Sequence, residues 1–389
     1  MSVAGGERAA VVLPRLRSVE SRRPAARSAQ LDGLRALAVT SVVAYHACFL
    51  VPRVWYRIFP LGLHLDVGVV VFFVLSGYLI YRPFVAAHLA GARGPALGRY
   101  LLRRAARIYP AYVAALLGLL ALGWIHFDDR WQFVQHVTLT QGYFPRAGTD
   151  LLVRPGIAQS WTLVVEVSFY LFVPVWAAVM AWAHGRRLGD TFRVELAGAA
   201  GLMVVGVAAN AWAAYRGLPV GLAVLPPHLP ALGWGMTLAI LVGAREQGER
   251  EPERRPVTEL CWLGALGALA LLTLLVDEVA GSSADMLIDA GLSLAVAVLV
   301  VTPVVLRAPT LGLVGRLLAW RPVATLGLIS FGVYLWHEDV LMDLPGPWQA
   351  EPLPQAVAGI AARVAVGVAI AAVSYVVLER PALRRVPSR

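Results

Sequence analysis

The chain has 389 residues, 58% of them hydrophobic and 15% charged, with a mean hydropathy of +0.67. Soluble domains hold about 45–50% apolar and about 25% charged residues, so one globular core cannot hide this excess, and a disordered chain, a coiled coil and a multidomain cytosolic enzyme are excluded. The formal charge of +10 comes from 34 Arg and no Lys, clustered between apolar runs as in a polytopic membrane protein rather than a nucleic-acid binder.

Residues 1–30 carry six Arg and no apolar run long enough for a signal peptide, and read as a disordered cytoplasmic tail. Apolar segments of spanning length follow at about 31–51, 66–87, 106–125, 159–183, 194–215, 229–244, 259–277, 284–306, 322–342 and 355–378. The sixth is the shortest and is opened by Pro226, Pro227 and Pro230. Ten spans put both termini on one side. On that side, the connections, tails and adjoining helix ends hold 26 Arg, against six in the opposite loops, and only Arg35 and Arg363 lie within spans. This bias places the termini in the cytoplasm. The expected fold is therefore an all-α transmembrane bundle at residues 31–381, between Arg-rich tails at 1–30 and 382–389, in the cell's inner (plasma) membrane. Residues 126–158 form the only long outer loop. Cys48 and Cys261 both fall in apolar runs, so neither a disulfide framework nor a thiolate metal site is expected. The chain shows no internal repeat of the kind that marks many secondary transporters.

An ionisable side chain inside a span costs a few kcal/mol or more and is a functional candidate by default. The first span holds Arg35 and His46. Eleven residues at 100° each turn through roughly 1100°, three turns plus about 20°, so the two side chains share a helix face about 16 Å apart along the axis. Taken singly, Arg35 snorkels to headgroups and His46 makes an interhelical hydrogen bond; the shared face speaks for more. The fourth span opens with Ser160 and Trp161 and puts Glu166 roughly 10 Å into the outer half. The ninth carries Ser330, Tyr334 and His337 as one stripe, and Asp66 opens the second from outside. Each of these suits an interfacial anchor, but His46, Asp66, Glu166, Tyr334 and His337 at one depth suggest a polar, water-accessible cavity. On the cytoplasmic side Arg99, Arg103, Arg104 and Arg107 precede the third span. Ordinary positive-inside charge explains the first two. Arg104 and Arg107 lie three apart on one face, as a clamp for the phosphates of an anionic donor needs.

Together the Arg35-x10-His46 pair, the run Gly68 to Ile80, Arg104-x2-Arg107-x2-Pro110, Ser160-Trp161-Thr162-Leu163-x2-Glu166, Gly327-x2-Ser330-x3-Tyr334-Leu335-Trp336-His337 and Glu379-Arg380-Pro381 resemble the integral-membrane acyltransferase family 3. These are ten-helix enzymes that O-acylate lipopolysaccharide, exopolysaccharide, peptidoglycan and some macrolides. The resemblance runs from about residue 31 to 381 and implies acyl transfer from cytosolic acyl-coenzyme A to a hydroxyl of a surface glycan, glycolipid or glycosylated metabolite. It makes Arg35 and His46 essential, Arg104 and Arg107 donor-binding, and Glu166 a site carboxylate. Some members carry a C-terminal esterase-like domain, which is not expected here. Many members read Gly-Val-Asp before the Phe-Phe pair, where this chain has Val70. Asp66, one turn earlier, then replaces that Asp as partner of His46, or the imidazole is oriented otherwise.

The expected chemistry is direct transfer without metal or bound cofactor, with acyl-CoA as substrate. A neutral imidazole takes the alcohol's proton as the oxygen attacks the thioester. Ser160, Trp161, Tyr334 and His337 would line the acceptor side. The rival class is a secondary transporter or flippase, whose intramembrane charges would line a substrate path instead.

Overall fold

A segment of some 20 apolar residues in hydrocarbon must satisfy its own backbone N–H and C=O groups, and helices do so internally. The computed structural model describes residues 28–50, 60–144, 156–186, 190–217, 223–248, 257–276, 282–307, 312–345 and 353–386. In them the chain is all-α. The first five long helices are α1 (Ala29–Cys48), α2 (Val67–Leu89), α3 (Leu97–Leu122), α5 (Trp161–Gly185) and α6 (Thr191–Tyr215), with the short α4 (Arg130–Thr138) in the connection between α3 and α5. They are followed by α7 (Leu229–Gln247), α8 (Val257–Leu275), α9 (Ser283–Arg307), the short α10 (Gly312–Leu318), α11 (Arg321–Leu328), α12 (Ser330–Asp343) and α13 (Leu353–Ser374). A π-helical turn at Tyr375–Glu379 leads into α14 (Arg380–Arg385). Each of the ten expected segments is helical. Among the described residues seven helices are long and apolar enough to cross a bilayer, which makes the chain a multi-pass membrane protein. The expected tail at residues 1–30 lies almost wholly outside the described residues.

Three boundaries differ from the sequence reading. The third span begins at Leu97, so Arg99, Arg103, Arg104 and Arg107 occupy its first three turns instead of a loop. The tenth helix runs past residue 378 through the π-helical turn, so the expected tail from 382 is helical as far as Arg385. The ninth span is two helices. Ile329, at φ −94° and ψ 4°, stands in the bridge region between α11 and α12.

The helices close on one another where glycine removes the Cβ. Gly77 of α2 and Gly235 of α7 face each other's helix; a Cβ at Gly77 would collide with the Leu232 carbonyl, and one at Gly235 with the Val74 carbonyl. Gly327 of α11 meets the Asp32 carbonyl of α1 in the same way. Without a hydrophobic force between helices in lipid, such close backbone approach is a main source of association. α7 is accordingly enclosed by its neighbours, while α6 and the end of the tenth helix turn Val204, Val205, Val207, Val373, Val376 and Val377 outward.

Gly77→Ala should cost about 1–3 kcal/mol or more, because backbone cannot retreat as a side chain does. Gly201→Ala in α6, where nothing lies within 4 Å of the added methyl, should be neutral or stabilise by about 0.5–1 kcal/mol. Thermal denaturation of the two variants in detergent, followed by size-exclusion monodispersity, measures the difference.

Candidate active site

A cavity of about 610 Å3 opens among α2, α3, α5 and α12, within the usual size range for small-molecule sites. Toward the arginine-rich end its wall is Pro83, Pro95, Arg99, Arg103, Arg104 and Arg107; Arg35, Ser76, Glu166 and Tyr170 follow, and Thr162, Ser330 and Tyr334 complete it. Five guanidinium groups therefore face one carboxylate across this space.

The arginines are held by specific neighbours. Arg35 donates from Nε to Ser330 Oγ at 3.3 Å, tying α1 to the first residue of α12. Arg104 lies over the rings of Tyr100 and Tyr170, 5.6 and 5.4 Å from their centroids, in the cation–π range. Arg107 Nη1 stands 3.6 Å from Glu379 Oε2, and that carboxylate is wholly enclosed by the turn ahead of α14. This gives the Glu379-Arg380-Pro381 segment its place beside the cavity. Arg104 Nε and Arg107 Nη2 are buried and have no hydrogen-bond partner among the described residues. Buried donors are nearly always paired in folded proteins, so these two N–H groups suit an anionic ligand. Glu166 accepts a hydrogen bond from Tyr170 at 2.5 Å and a longer one from Ser76 at 3.4 Å. Ser76 thus belongs to the cavity wall.

His46 and His337 lie beyond Tyr334 and do not line this cavity. The Tyr334 ring stands between the two compartments, its centroid 5.6 Å from the His337 ring and 6.1 Å from Phe72. Its hydroxyl receives a hydrogen bond from Thr162 at 3.0 Å and donates to the Gln159 carbonyl at 3.3 Å. Behind it, hydrogen bonds set the histidine tautomers. His337 Nδ1–H donates to the Tyr334 carbonyl at 2.7 Å, which leaves Nε2 bare. His46 Nδ1–H points at the Val42 carbonyl at 2.9 Å and at that bare nitrogen at 3.2 Å. His46 Nε2 consequently keeps its lone pair, 3.4 Å from Glu338 Oε2. The two side chains are 17% and 23% exposed, enough for water or a hydroxyl to reach them.

Glu338 is the residue the sequence reading missed. It follows His337 by one position and so lies off the Ser330–Tyr334–His337 stripe, yet His46 meets both. Glu338 and Asp339 close an otherwise apolar span, and that is the signal that marks them; Asp339 accepts a hydrogen bond from Gln159 at 3.0 Å. The carboxylate whose contact with His46 is defined is thus Glu338, while Asp66 immediately precedes α2 at the same end of the bundle. Ser160 is buried, donating to the Ile157 carbonyl at 2.5 Å and accepting from Gln141 at 3.0 Å. Trp161 packs against His228 and Phe73, at 5.5 and 6.3 Å between centroids. Neither lines the cavity. His46, His337 and Glu338 each offer a ligand atom within 4.8 Å of the others, a set able to hold a cation.

With this geometry in view, comparison with known proteins is specific. The family model described as an acyltransferase domain, that of acyltransferase family 3, matches residues 28–378. The putative peptidoglycan O-acetyltransferase YrhL of Bacillus subtilis is 26% identical over 380 residues, covering 90% of this chain and 54% of the relative. The peptidoglycan O-acetyltransferase OatA of Listeria monocytogenes is 24% identical over 334 residues, covering 80% and 49%. The chain thus spans about half the length of these curated relatives. No solved structure matches.

Proposed function

The chain belongs to acyltransferase family 3, and from that membership we propose that it moves an acyl group, acetyl first of all, from acyl-coenzyme A in the cytoplasm to a sugar hydroxyl presented at the outer side of the plasma membrane. The observation that carries this reading is the cavity with five arginines and one carboxylate. A nucleotide-bearing thioester supplies several phosphate charges, and guanidinium groups pair with phosphate bidentately in a way that ammonium groups do not. Arg99, Arg103, Arg104 and Arg107 take the phosphates at the mouth, Arg35 lies deeper, and the pantetheine arm runs toward Tyr334. The peptidoglycan O-acetyltransferase relatives make a cell-wall or other surface glycan the favoured acceptor over a glycolipid or a secreted glycosylated metabolite.

At the far end His46 Nε2 takes the proton of the acceptor hydroxyl while the oxygen attacks the thioester carbonyl carbon. The C–S bond breaks, the sulfur leaves as thiolate and takes up a proton, and an ester and free coenzyme A result. Glu338 beside Nε2 stabilises the imidazolium formed in this step. His337 receives the Nδ1–H of His46 and fixes the ring, the part an orienting acceptor plays in a catalytic triad. A turn of the Tyr334 side chain joins the two compartments, so the donor and the acceptor meet without an open pore. Arg35 belongs with the donor site, about three helical turns from His46.

His46→Ala should lower turnover by about 100- to 10,000-fold, the usual worth of a general base, with protein level and monodispersity kept; the assay is release of coenzyme A thiol by purified protein with a glycan acceptor. Turnover near wild type would remove His46 from the chemistry, and thiol release by no preparation would favour the transporter reading. Arg104→Ala with Arg107→Ala should raise KM for acyl-CoA at least about tenfold while kcat changes little, since a phosphate clamp acts mainly in binding; an unchanged KM leaves the pair with a topological role. Steady-state kinetics of Glu338→Gln against Asp66→Asn separate the two carboxylates. The first should lose about tenfold or more in kcat and the second less, and the reverse order would return the partnership to Asp66.

A further inference from the structure

Outside the cavity, at the arginine-rich end, three polar side chains from two helices converge on one buried carboxylate of a third. Glu195, in the second turn of α6, has a side chain with no exposure. His88 Nδ1, from the last turn of α2, lies 2.5 Å from Glu195 Oε1, and His184 Nε2, from the last turn of α5, lies 3.0 Å from the same oxygen. Tyr81 donates its hydroxyl to the other oxygen, Oε2. The imidazole centroids are 5.4 Å apart with planes at 67°, so each ring turns an edge to the carboxylate instead of stacking on its partner. None of the four lines the donor cavity.

We propose that His88, His184 and Glu195 form a binding site for a divalent transition metal, zinc by preference, that ties the ends of α2, α5 and α6 together. The three ligand atoms lie within 4.8 Å of one another. Tetrahedral zinc with bonds of about 2.0–2.1 Å sets its ligands about 3.3 Å apart, so the side chains need separate by only about 1 Å to admit the ion. Two imidazole nitrogens and one carboxylate oxygen suit zinc, cobalt or nickel, whereas calcium and magnesium ask for oxygen alone. Tyr81 supplies the hydrogen bond to the remaining carboxylate oxygen that orients a metal-bound carboxylate. His88 and His184 are 10% and 15% exposed, so the ion has an entry from water and a fourth position for a water ligand. Binding needs the coordinating nitrogen of each imidazole bare of its proton, so metal uptake depends on pH.

The consequence is local. Ile80 and Pro83 line the donor cavity, and they flank Tyr81 and lie within two turns of His88 on the same helix. A metal at this point fixes the wall of the cavity mouth without touching the donor.

The test uses full-length protein in detergent, stripped with chelator and dialysed against zinc, with bound metal counted by mass spectrometry and cobalt substitution followed by visible absorption. One zinc per chain and the intense spectrum of tetrahedral cobalt are expected. His184→Ala should weaken binding by about 100-fold or more, and Tyr81→Phe by about 10- to 100-fold, the range for an orienting partner. Glu195→Gln should do as His184→Ala does; because that side chain is enclosed, His88→Ala at the edge carries the same test in a variant that keeps its monodisperse profile. His337→Ala, which belongs to the separate His46–His337–Glu338 set, should leave zinc binding at Glu195 unchanged. Monodisperse wild type that takes up no zinc, zinc retained by both His184→Ala and His88→Ala, or zinc lost in His337→Ala would each overturn the site.

Discussion

Charge placed among hydrocarbon chains is costly unless other protein groups surround it, and this bundle is arranged around that cost. Of the five cavity arginines, Arg35, Arg104 and Arg107 are held by Ser330, tyrosine rings and the enclosed Glu379, while Arg99 and Arg103 stand at the exposed end. Enclosure needs helices close enough to exclude lipid, and here that closeness comes from glycines whose missing Cβ lets one backbone rest on the next. Glu166 in the cavity and Glu379 beside Arg107 are two carboxylates against five guanidinium groups, which leaves positive charge in excess.

The break at Ile329 serves the same purpose. A continuous helix over 322–342 would carry Gly327 and Ser330 through one unbroken turn. With the break, α11 can rest on α1 through Gly327 while α12 starts afresh at Ser330, and from there Ser330, Tyr334 and His337 follow one face. Arg35 reaches the first of these residues and His46 the last. Arg35 and His46 of α1 therefore meet the two ends of a single stripe on α12, with Tyr334 between them. The matching of α1 to α12 puts the arginine cavity and the histidine pair along one seam.

Much of this was legible in the sequence, for identifiable reasons. The helical segments follow from hydropathy, which is a one-dimensional property. The shared face of Arg35 and His46, and the stripe from Ser330 to His337, follow from the 3.6-residue period. Partners across helices do not, because no period in one helix says which neighbour faces it. Glu338 was passed over for that reason: on its own helix it lies off the stripe, and only the approach of His46 from α1 gives it a place. The helix break was hidden because Ile329 is an ordinary apolar residue, with no proline or glycine at that position to mark it. Glu195, with His88 and His184, was hidden by distance along the chain, since its partners come from two other helices.

α2 shows how closely these demands are interleaved. Ser76 and Gly77 are adjacent and so point about 100° apart: the serine hydroxyl faces Glu166 in the cavity, and the glycine takes the Leu232 carbonyl of α7. One turn further on, Ile80 lines the cavity and Tyr81 turns away to Glu195. A larger side chain at Gly77 would push α2 off α7 and move Ser76 relative to Glu166, while a shift at the His88 end would move Ile80 and Pro83 relative to the arginines of α3. The small and polar positions between Gly68 and His88 are constrained from both sides at once, by packing on α7 and by the cavity wall. Lipid-facing helices such as α6 are free of this double constraint along most of their outer surface, where valine, alanine and glycine can exchange with little consequence for the site.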